Sequence, residues 1–330
     1  MNKKGKTTIV FTLIIALLTV SLTVSGNINR EYTLSNPNAD KTATAVYGYL
    51  TSLYGKQVLS AQQESTWMGS DNYEFDYIQS ASSKLPAIRG FDYMNDDFEG
   101  VNKRALEWWQ SGGLVTICWH TGSNFSGEWN DAQNTEIADW DKALTEGTDE
   151  YNALISGMDK GAAALSELQK QGVTVLWRPF HEFDGKWFWW GKGGEENFKK
   201  LWRIMYERYT NYWKLNNLIW VLGYSHNGID CKSWYVGNKY CDIIGADSYD
   251  GGAQPGLFTR LIKINSDNKP KCFHECGKNP DENELNSTRW LWFMTWHTEY
   301  LTDNNDTTSL NKLYNSELVI TLDELPSFKE

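Results

Sequence analysis

Short apolar segments alternate with longer amphipathic segments along most of the 330-residue chain. The apolar segments are rich in β-branched and aromatic residues and nearly continuous in apolar character, which is typical of strands buried on both faces. Eight of these segments lie at 56–62, 85–93, 113–120, 173–179, 217–224, 242–249, 269–276 and 290–297. The pattern therefore predicts eight buried strands.

Segments with helical spacing lie between these strands. The clearest are 74–84, 101–111, 150–171 and 195–214, and weaker ones follow at 231–240, 254–266 and 307–315. Eight buried strands that alternate with helices predict right-handed crossovers and a closed α/β barrel, the (β/α)8 TIM barrel, as a single catalytic domain. An open, doubly wound sheet is the alternative, but it would usually have fewer strands and a glycine-rich phosphate-binding turn, which the sequence lacks.

The N-terminal 26 residues have a different character. Three lysines, Lys3, Lys4 and Lys6, precede an apolar or small run from Thr7 to Val24. This layout is typical of a secretory signal peptide. We expect residues 1–26 to be removed and residues 27–330 to form the catalytic domain of a secreted protein. An uncleaved membrane anchor is the alternative, because a run of ~18 residues is close to the shortest length that spans a bilayer.

The net charge and the aromatic content of the chain indicate which kind of molecule it binds. The net charge is −11, and loss of a leader with three lysines and no acidic residue would bring it to about −14. A polyanionic chain is a poor partner for nucleic acid or an anionic membrane, but it can bind a neutral substrate. The 17 tryptophans and 17 tyrosines exceed what a core of this size requires. Flat amphipathic rings bind the apolar faces of sugars, so we expect polysaccharide as the partner and about half of these rings in the core.

The chain has five cysteines, an odd number for an exported protein, so at least one is expected to lack a partner within the chain. Only Cys231 and Cys241 are placed to pair, across a short connection. Cys272 and Cys276 fall on one predicted strand, ~13 Å apart at strand rise, which is too far for a disulfide. A disulfide framework is therefore not expected to hold the fold.

Polar and aromatic residues collect where the predicted strands end, which is the edge of a TIM barrel that carries the active site. Two glutamates stand out there, Glu182 in WRPFHEFDGKWFWWG and Glu275 in KPKCFHECG. Hydrolysis of a glycosidic bond needs one carboxylic acid to protonate the leaving oxygen and one carboxylate to meet the cationic centre. A purely structural alternative remains, in which Glu182 pairs with Arg178 and Glu275 pairs with Lys278.

Other chemistries find less support in the sequence. His181 and His274 each precede a strand-end glutamate, but no histidine lies four residues after His181, so the helical zinc pattern is not met. We expect these histidines to orient the carboxylates and expect no metal and no cofactor. No Gly-x-Ser-x-Gly turn is present to support a serine nucleophile.

The stretch from Trp177 to Glu182, WRPFHE, followed by GKWFWWG at 185–191, resembles the signature of glycoside hydrolase family 26, the β-mannanase family. The resemblance continues through NLIWV at 217–221, YCDIIGADSYD at 240–250, HECG at 274–277 and WFMTWH at 292–297. It covers most of residues 40–325.

The resemblance implies an endo-acting β-1,4-mannanase that works with retention through a covalent glycosyl-enzyme. Glu182 matches the acid/base at the end of strand four, and Glu275 matches the nucleophile at the end of strand seven. The matching substrate-binding positions are His120, His181, Trp187, Tyr249 and Trp296. Tyr249 would donate its hydroxyl to Glu275, and Trp187 and Trp296 would flank the sugar rings. We expect a monomer that binds no nucleic acid and, after leader cleavage, no membrane.

Three departures from the family pattern bear on specificity. Phe183-Asp184 follows the catalytic position where many relatives have Met-Asn or Met-Asp, His297 occupies a variable position after Trp296, and Cys272 and Cys276 bracket Glu275. A β-1,3-1,4-glucanase of the lichenase type or a xylan-cleaving endoglycosidase on the same fold therefore stays an alternative. A non-catalytic carbohydrate-binding barrel is the alternative from a different class, although it has no need of two buried carboxylates.

Overall fold

The computed structural model of the protein describes residues 32–226, 231–265 and 269–329. The predicted signal peptide at 1–26 lies outside these described residues. No helix within the described ranges has both the length and the apolar character that a membrane span requires.

Within the described residues, eight parallel strands form a closed barrel, which confirms the predicted (β/α)8 architecture. Each strand pairs with the next one along the chain, and β1 pairs with both β2 and β8 to close the ring. A short ninth strand extends the sheet beside the start of β1, where Val58 pairs with Val319. The strands are β1 (Val58–Gln63), β2 (Ile88–Asp92), β3 (Leu114–Cys118), β4 (Val175–Arg178), β5 (Leu218–Tyr224), β6 (Ile243–Ser248), β7 (Lys271–Cys276), β8 (Trp292–Thr295) and β9 (Val319–Ile320).

The eight barrel strands match the segments that the apolar pattern predicts, with ends that differ by at most three residues. Every residue of these strands is buried except Asp92, which is half-buried at the end of β2. Burial on both faces explains why the strands are nearly continuous in apolar character, since one face meets the barrel interior and the other meets the helices.

Helices cover the outside of the barrel and fill several of the connections between strands. The helices of the described residues are α1 (Lys41–Leu53), α2 (Tyr73–Ser82), α3 (Phe98–Gln110), α4 (Trp129–Asn134), α5 (Trp140–Ala143), α6 (Asp149–Lys170), α7 (Trp189–Lys192), α8 (Gly194–Glu207), α9 (Pro255–Asn265), α10 (Glu282–Thr288), α11 (Glu299–Thr302) and α12 (Thr307–Tyr314). A π-helical turn, Arg208–Tyr212, extends α8. The four long predicted helices correspond to α2, α3, α6 and α8. The segment 231–240, a weak helix candidate in the sequence, has turns instead.

Helix α1 precedes the first strand, in a segment for which the sequence pattern predicts no helix. Asp40 caps its first turn by accepting from the Ala43 amide, and Val46, Tyr47 and Leu50 are buried. Tyr47 Oη donates to the carbonyl of Asp242 at the start of β6, 3.1 Å away. Because the threonines, Val46 and Gly48 of this helix have weak helical preference, the helix depends on burial against the amino ends of the strands, opposite the site described below.

Strand β7 contains a bulge that changes which way its side chains point. On the β6 side, Phe273 pairs with Ala246 and Glu275 with Asp247, so that one extra residue, His274, stands between the two pairs. The pairing with β8 also gains one residue on β7 between Phe273 and Cys276. In a regular strand, neighbours point to opposite faces. The bulge instead lets both His274 and Glu275 contact the same interior guanidinium, that of Arg178.

The core contains the expected half of the tryptophan and tyrosine rings, because 11 of the 17 tryptophans and 6 of the 17 tyrosines are buried. All five cysteines lie in the described part of the chain and are buried, and no disulfide joins any two of them, Cys231 and Cys241 included. Apolar packing of the barrel, rather than covalent cross-linking, therefore holds the fold together.

Candidate active site

A cavity of about 1000 Å³ opens at the carboxyl ends of the barrel strands. Each of the eight strands, or the loop directly after it, contributes at least one lining side chain. The seven residues singled out by the sequence all line it: His120, His181, Glu182, Trp187, Tyr249, Glu275 and Trp296. Further lining residues include Trp67, Asp92, Trp129, His226 and His297.

Glu182 is carried by a sharply turned segment after β4. Phe180 and Glu182 both have a left-handed backbone, with φ of 51° and 55°, which costs a non-glycine residue of order 1 kcal/mol. The amide of Glu182 donates to the carbonyl of Gly223 in β5, 2.8 Å away, and this bond anchors the turn. The turn directs the Glu182 side chain into the cavity, where Trp187 Nε1 donates to Oε2 across 2.9 Å.

Burial raises the pKa of Glu182 to about 8, and the negative charge of Glu275 acts in the same direction. The hydrogen bond from Trp187 opposes this shift because it stabilises the ionised carboxylate. At neutral pH the Glu182 carboxyl therefore holds a proton that it can donate into the cavity.

Glu275 has an environment of the opposite kind. Arg178 Nη1 donates to its Oε1 across 2.8 Å, and Tyr249 Oη donates to its Oε2 across 2.9 Å. His181 Nε2 lies 3.6 Å from Oε1. Burial, followed by the charge of Glu275, raises the pKa of Tyr249 well above its ordinary value, so the phenol keeps the proton that it donates. Each oxygen of Glu275 thus accepts a hydrogen bond, and one of the two donors is a guanidinium cation.

Neither ion pair of the purely structural alternative, Glu182–Arg178 or Glu275–Lys278, is formed among the described residues. The ion pair of Arg178 is made with Glu275 and not with Glu182, and both side chains are fully enclosed. Lys278 is exposed, on the loop after β7. Sequence proximity favoured Arg178–Glu182 because four residues separate them, whereas the barrel brings β4 and β7 to opposite sides of one interior.

The histidines of the site differ in charge state. Asp92 accepts from His120 twice, from Nδ1 at 2.5 Å and from the backbone amide at 2.9 Å. Burial would lower the pKa of His120, but Asp92 raises it above the ordinary value overall. Burial together with the neighbouring His120 and His274 lowers the pKa of His181 well below its usual range. His120 is thus the histidine that can carry charge near neutral pH, and His181 stays neutral.

An aromatic wall, formed by Trp296, His297 and Trp67, borders one side of the cavity. The rings of Trp296 and His297 are 4.8 Å apart at 37°, and His297 meets Trp67 edge to face, also at 4.8 Å. Glu74 joins the two loops that carry this wall, since it accepts from the Ser65 amide and hydroxyl and from the Thr298 amide. Trp67 is 55% exposed, so its ring face is open to a ligand.

The other aromatic residues after Glu182 anchor the loop and do not line the cavity. Phe183 stacks on Phe198 of α8, with ring centres 4.0 Å apart. The indole nitrogens of Trp189 and Trp190 donate to the carbonyls of Thr121 and His181. Asp184 accepts from the Ser225 amide at 2.7 Å. The departures Phe183-Asp184, Cys272 and Cys276 are therefore outside the cavity lining, whereas His297 is part of it.

Two groups of side chains place potential metal-ligand atoms within 4.8 Å of one another. They are Asp92, Cys118 and His120, and Asp247, His274 and Glu275. In the first group, Asp92 and His120 already bind each other at 2.5 Å, and burial raises the pKa of the Cys118 thiol well above its ordinary value. In the second, a guanidinium lies 2.8 Å from the Glu275 oxygen that a cation would use. Both arrangements disfavour a divalent ion.

Sequence reasoning missed several residues of the site. Trp67 lies on the loop after β1 and Trp129 begins the short helix α4, both without any local pattern in the sequence, and Arg178 was considered only as a structural partner of Glu182. The hydrogen bond between Asp247 and His274, 2.6 Å long, depends on the pairing of β6 with β7, which the sequence pattern does not specify. Asp92 and Asp247 are polar residues at the ends of predicted strands, which is a signal in the sequence, whereas no sequence signal pointed to Trp67.

Comparison with known proteins gives consistent matches over nearly the whole chain. The sequence profile of Glycosyl hydrolase family 26 matches residues 35–324. The mannan endo-1,4-β-mannosidase of Thermothelomyces thermophilus is 33% identical over 329 residues, covering 92% of this chain and 65% of the relative. The chain thus spans about two thirds of the length of this relative, and it spans 51% of the length of a Piromyces mannosidase.

Solved structures agree with this match. A ruminal GH26 endo-β-1,4-mannanase superposes with a TM-score of 0.83 and 30% identity, covering 90% of this chain and 71% of that one. The β-mannanase from a symbiotic protist of the termite Reticulitermes speratus, in complex with a gluco-manno-oligosaccharide, has the same TM-score and identity, with coverages of 89% and 98%.

Proposed function

Because this chain belongs to glycosyl hydrolase family 26, we propose that it is an endo-acting β-1,4-mannanase that cleaves mannan-type polysaccharides with retention of configuration. The assignment of mannan rests on the relatives, whose names are those of mannan endo-1,4-β-mannosidases and GH26 β-mannanases. The catalytic roles rest on one observation, the contrast between the two glutamates that line the cavity.

That contrast is one of electrostatic environment. Burial and the nearby Glu275 raise the pKa of Glu182 to about 8, which suits a proton donor at neutral pH. Glu275 accepts from a guanidinium and a phenol, which suits an ionised nucleophile. A glycosidase needs this pairing of one protonated and one ionised carboxyl on either side of the scissile bond.

In the first step, an oxygen of Glu275 attacks the anomeric carbon while Glu182 gives its proton to the departing glycosidic oxygen. The C1–O bond to the leaving sugar breaks, and an ester bond between C1 and Glu275 forms. The sugar ring carries the most positive charge in the transition state between the bound substrate and this ester. Arg178 and Tyr249 hold Glu275 in place, and Trp187 holds Glu182.

In the second step, Glu182, now a carboxylate, removes a proton from water as the water oxygen attacks C1. The ester bond breaks and returns Glu275 to its ionised form, while Glu182 regains its proton. Two inversions at C1 leave the product with the β configuration of the substrate.

The test of this proposal is a panel of purified glucomannan, lichenan and xylan, with reducing-sugar release followed for each. Predominant turnover of glucomannan, with the first product seen by NMR as the β anomer, is the expected result. Preference for lichenan or xylan would replace mannan by the β-1,3-1,4-glucanase or xylanase alternative. Binding without turnover on all three would identify a carbohydrate-binding barrel, and an α first product would overturn retention.

We further propose that the protein is secreted, on the basis of the basic and apolar layout of residues 1–26. Mass spectrometry of protein from culture medium is expected to give an N-terminus near residue 26 or 27. Intact Met1 in the medium, or protein confined to membranes, would contradict secretion by leader cleavage.

A further inference from the structure

His274 is fully buried next to Glu275 and does not line the cavity. It is the extra residue of the β7 bulge, so its side chain points into the barrel interior beside that of Glu275. A sugar in the cavity would not touch it. Any effect of His274 on the reaction must therefore pass through another side chain.

The side chain in question is Arg178. Its Nη1 lies 3.0 Å from His274 Nε2 and 3.5 Å from Nδ1. An atom on the in-plane lone pair of Nε2 would be much farther from Nδ1, because the two ring nitrogens are on the same five-membered ring. The similar distances place the guanidinium nitrogen over the face of the imidazole, a cation–π arrangement. The same Nη1 donates to Glu275 Oε1 at 2.8 Å.

Asp247 fixes the orientation of the imidazole through the Nδ1 atom. His274 Nδ1 and Asp247 Oδ1 share a hydrogen bond of 2.6 Å, and both side chains are fully enclosed. Burial, and after it the charge of Arg178, lowers the pKa of His274 well below its usual range. The ring therefore stays neutral, and a neutral ring can lie against a guanidinium without repulsion.

The fold leaves space for this ring at two glycines. A Cβ on Gly223 of β5 would stand 2.7 Å from Cε1 and Nε2 of His274, and a Cβ on Gly245 of β6 would stand 2.6 Å from the His274 Cβ. Real Cβ atoms do not approach so closely, so His274 occupies room that these glycines provide. Two neighbouring strands thus hold the imidazole in one position.

We propose that His274 is a positioning residue for the nucleophile. Asp247 holds the imidazole in place, and the face of the imidazole packs against the Arg178 guanidinium and keeps that guanidinium directed at Glu275. This inference rests on the proposed role of Glu275. It assigns His274 an indirect effect on the formation of the glycosyl-enzyme ester, and no effect on the binding of distant sugar units.

The test measures covalent labelling of Glu275 by a 2-deoxy-2-fluoro-β-manno-oligosaccharide with a dinitrophenolate leaving group. Glu275 displaces dinitrophenolate and forms an ester with C1, which intact mass spectrometry follows with time. His274→Leu is expected to slow labelling by about 10- to 100-fold, the scale of a misplaced reacting group. Half-saturating reagent concentration is expected to change less than about twofold, because no sugar contact is lost. His274→Gln, whose amide can still bind Asp247 and lie flat under Arg178, is expected to recover part of the rate.

The matched control is Phe273→Leu, which removes a buried ring from the preceding position of β7. Phe273 stacks on Trp290 and has no contact with Arg178 among its ring contacts. It is expected to lower thermal stability while leaving the labelling rate unchanged. If labelling is slowed equally in Phe273→Leu and His274→Leu, disturbed packing of β7 explains the effect, and the inference is overturned.

A double-variant cycle separates action through Arg178 from an independent structural effect. If His274 acts through Arg178, then His274→Leu is expected to add little further slowing in an Arg178→Lys background. If the slowing of labelling in the double variant equals the product of the slowing in the two single variants, the inference is overturned. A wild-type labelling rate in folded His274→Leu would also overturn it. Failure of the wild-type protein to be labelled at Glu275 would instead contradict the proposed function, so the two failures are distinct.

Discussion

Trp187 Nε1 donates to Glu182 Oε2 across 2.9 Å, so one side chain both borders the cavity and binds the carboxyl proposed as the acid/base. The ring of Trp187 is half-buried, with its edge turned to Glu182. This contact links the ionisation of Glu182 to an aromatic residue whose expected role is to contact sugar, and the two roles can be separated by experiment.

Trp187→Phe keeps a flat ring and removes the N–H. That hydrogen bond lowers the pKa of Glu182 by stabilising its ionised form, so its loss is expected to raise this pKa further above about 8. Because Glu182 must be protonated to assist the leaving group, the basic limb of the kcat/KM profile on manno-oligosaccharides should move to higher pH. Trp296→Phe is the control, since its ring makes no hydrogen bond to Glu182. A basic limb that stays in place or moves down in Trp187→Phe would contradict the prediction.

The roles of the two glutamates are separable by leaving-group chemistry. Glu182→Ala should cleave polysaccharide very slowly, yet an activated aryl β-mannoside should still glycosylate Glu275, because a good leaving group departs without protonation. The covalent intermediate should accumulate, and azide should release it with retained β configuration.

Glu275→Ala lacks the nucleophile, so the same aryl substrate should be nearly inert and show no burst. The roles are reversed if Glu275→Ala, and not Glu182→Ala, shows the burst and azide rescue with retention. A burst recorded by stopped-flow absorbance of the released phenolate decides between the two outcomes.

The raised pKa of Glu182 also predicts a pH dependence of stability. A carboxyl whose pKa rises from 4.5 in the unfolded chain to about 8 in the fold stabilises the protein at low pH, and this contribution is lost as pH rises through about 8. Glu182→Gln stays neutral at every pH. Its Tm relative to wild type should therefore increase between about pH 5 and pH 8 and then level off, because above the folded pKa both states of wild type have lost the proton. Glu167→Gln, an exposed position on α6, should show no such trend in the same calorimetric series.

The aromatic wall predicts a dependence on substrate length. Trp296→Ala should weaken kcat/KM on short and long manno-oligosaccharides alike, by about 1–3 kcal/mol for loss of one large packing surface. Trp67→Ala, at the exposed outer part of the wall, should affect long substrates more than short ones. Tyr212→Ala removes an exposed ring that does not line the cavity and should change neither. Full kcat/KM in both folded tryptophan variants would remove the wall from the site.

The separation of the two catalytic carboxyl groups gives a structural prediction. In a retaining enzyme they should stand ~5–5.5 Å apart, close enough for direct attack on C1. A crystal structure of the wild-type protein, or of a trapped glycosyl-enzyme, measures this distance. A separation above ~6.5 Å would leave room for water and indicate inversion instead.

The sequence by itself determined the architecture and the two glutamates. Strands buried on both faces must be apolar along their whole length, so each of the eight barrel strands is visible as a local run. Glu182 and Glu275 interrupt apolar sequence at strand ends, and the motif around Glu182 is contiguous. Each of these signals comes from residues that are adjacent in the chain, so each can be identified from the sequence without knowledge of the fold.

The tertiary structure decided what depends on neighbours that are distant in the chain. Arg178 serves Glu275 rather than Glu182 because ring closure brings β4 and β7 to one interior. His274 points inward only because the bulge in β7 breaks the alternation that the sequence would imply. Trp67 joins Trp296 because Glu74 ties two loops that are more than 220 residues apart. Such contacts are set by strand register and loop packing, and neither leaves a trace in the spacing of residues along the chain.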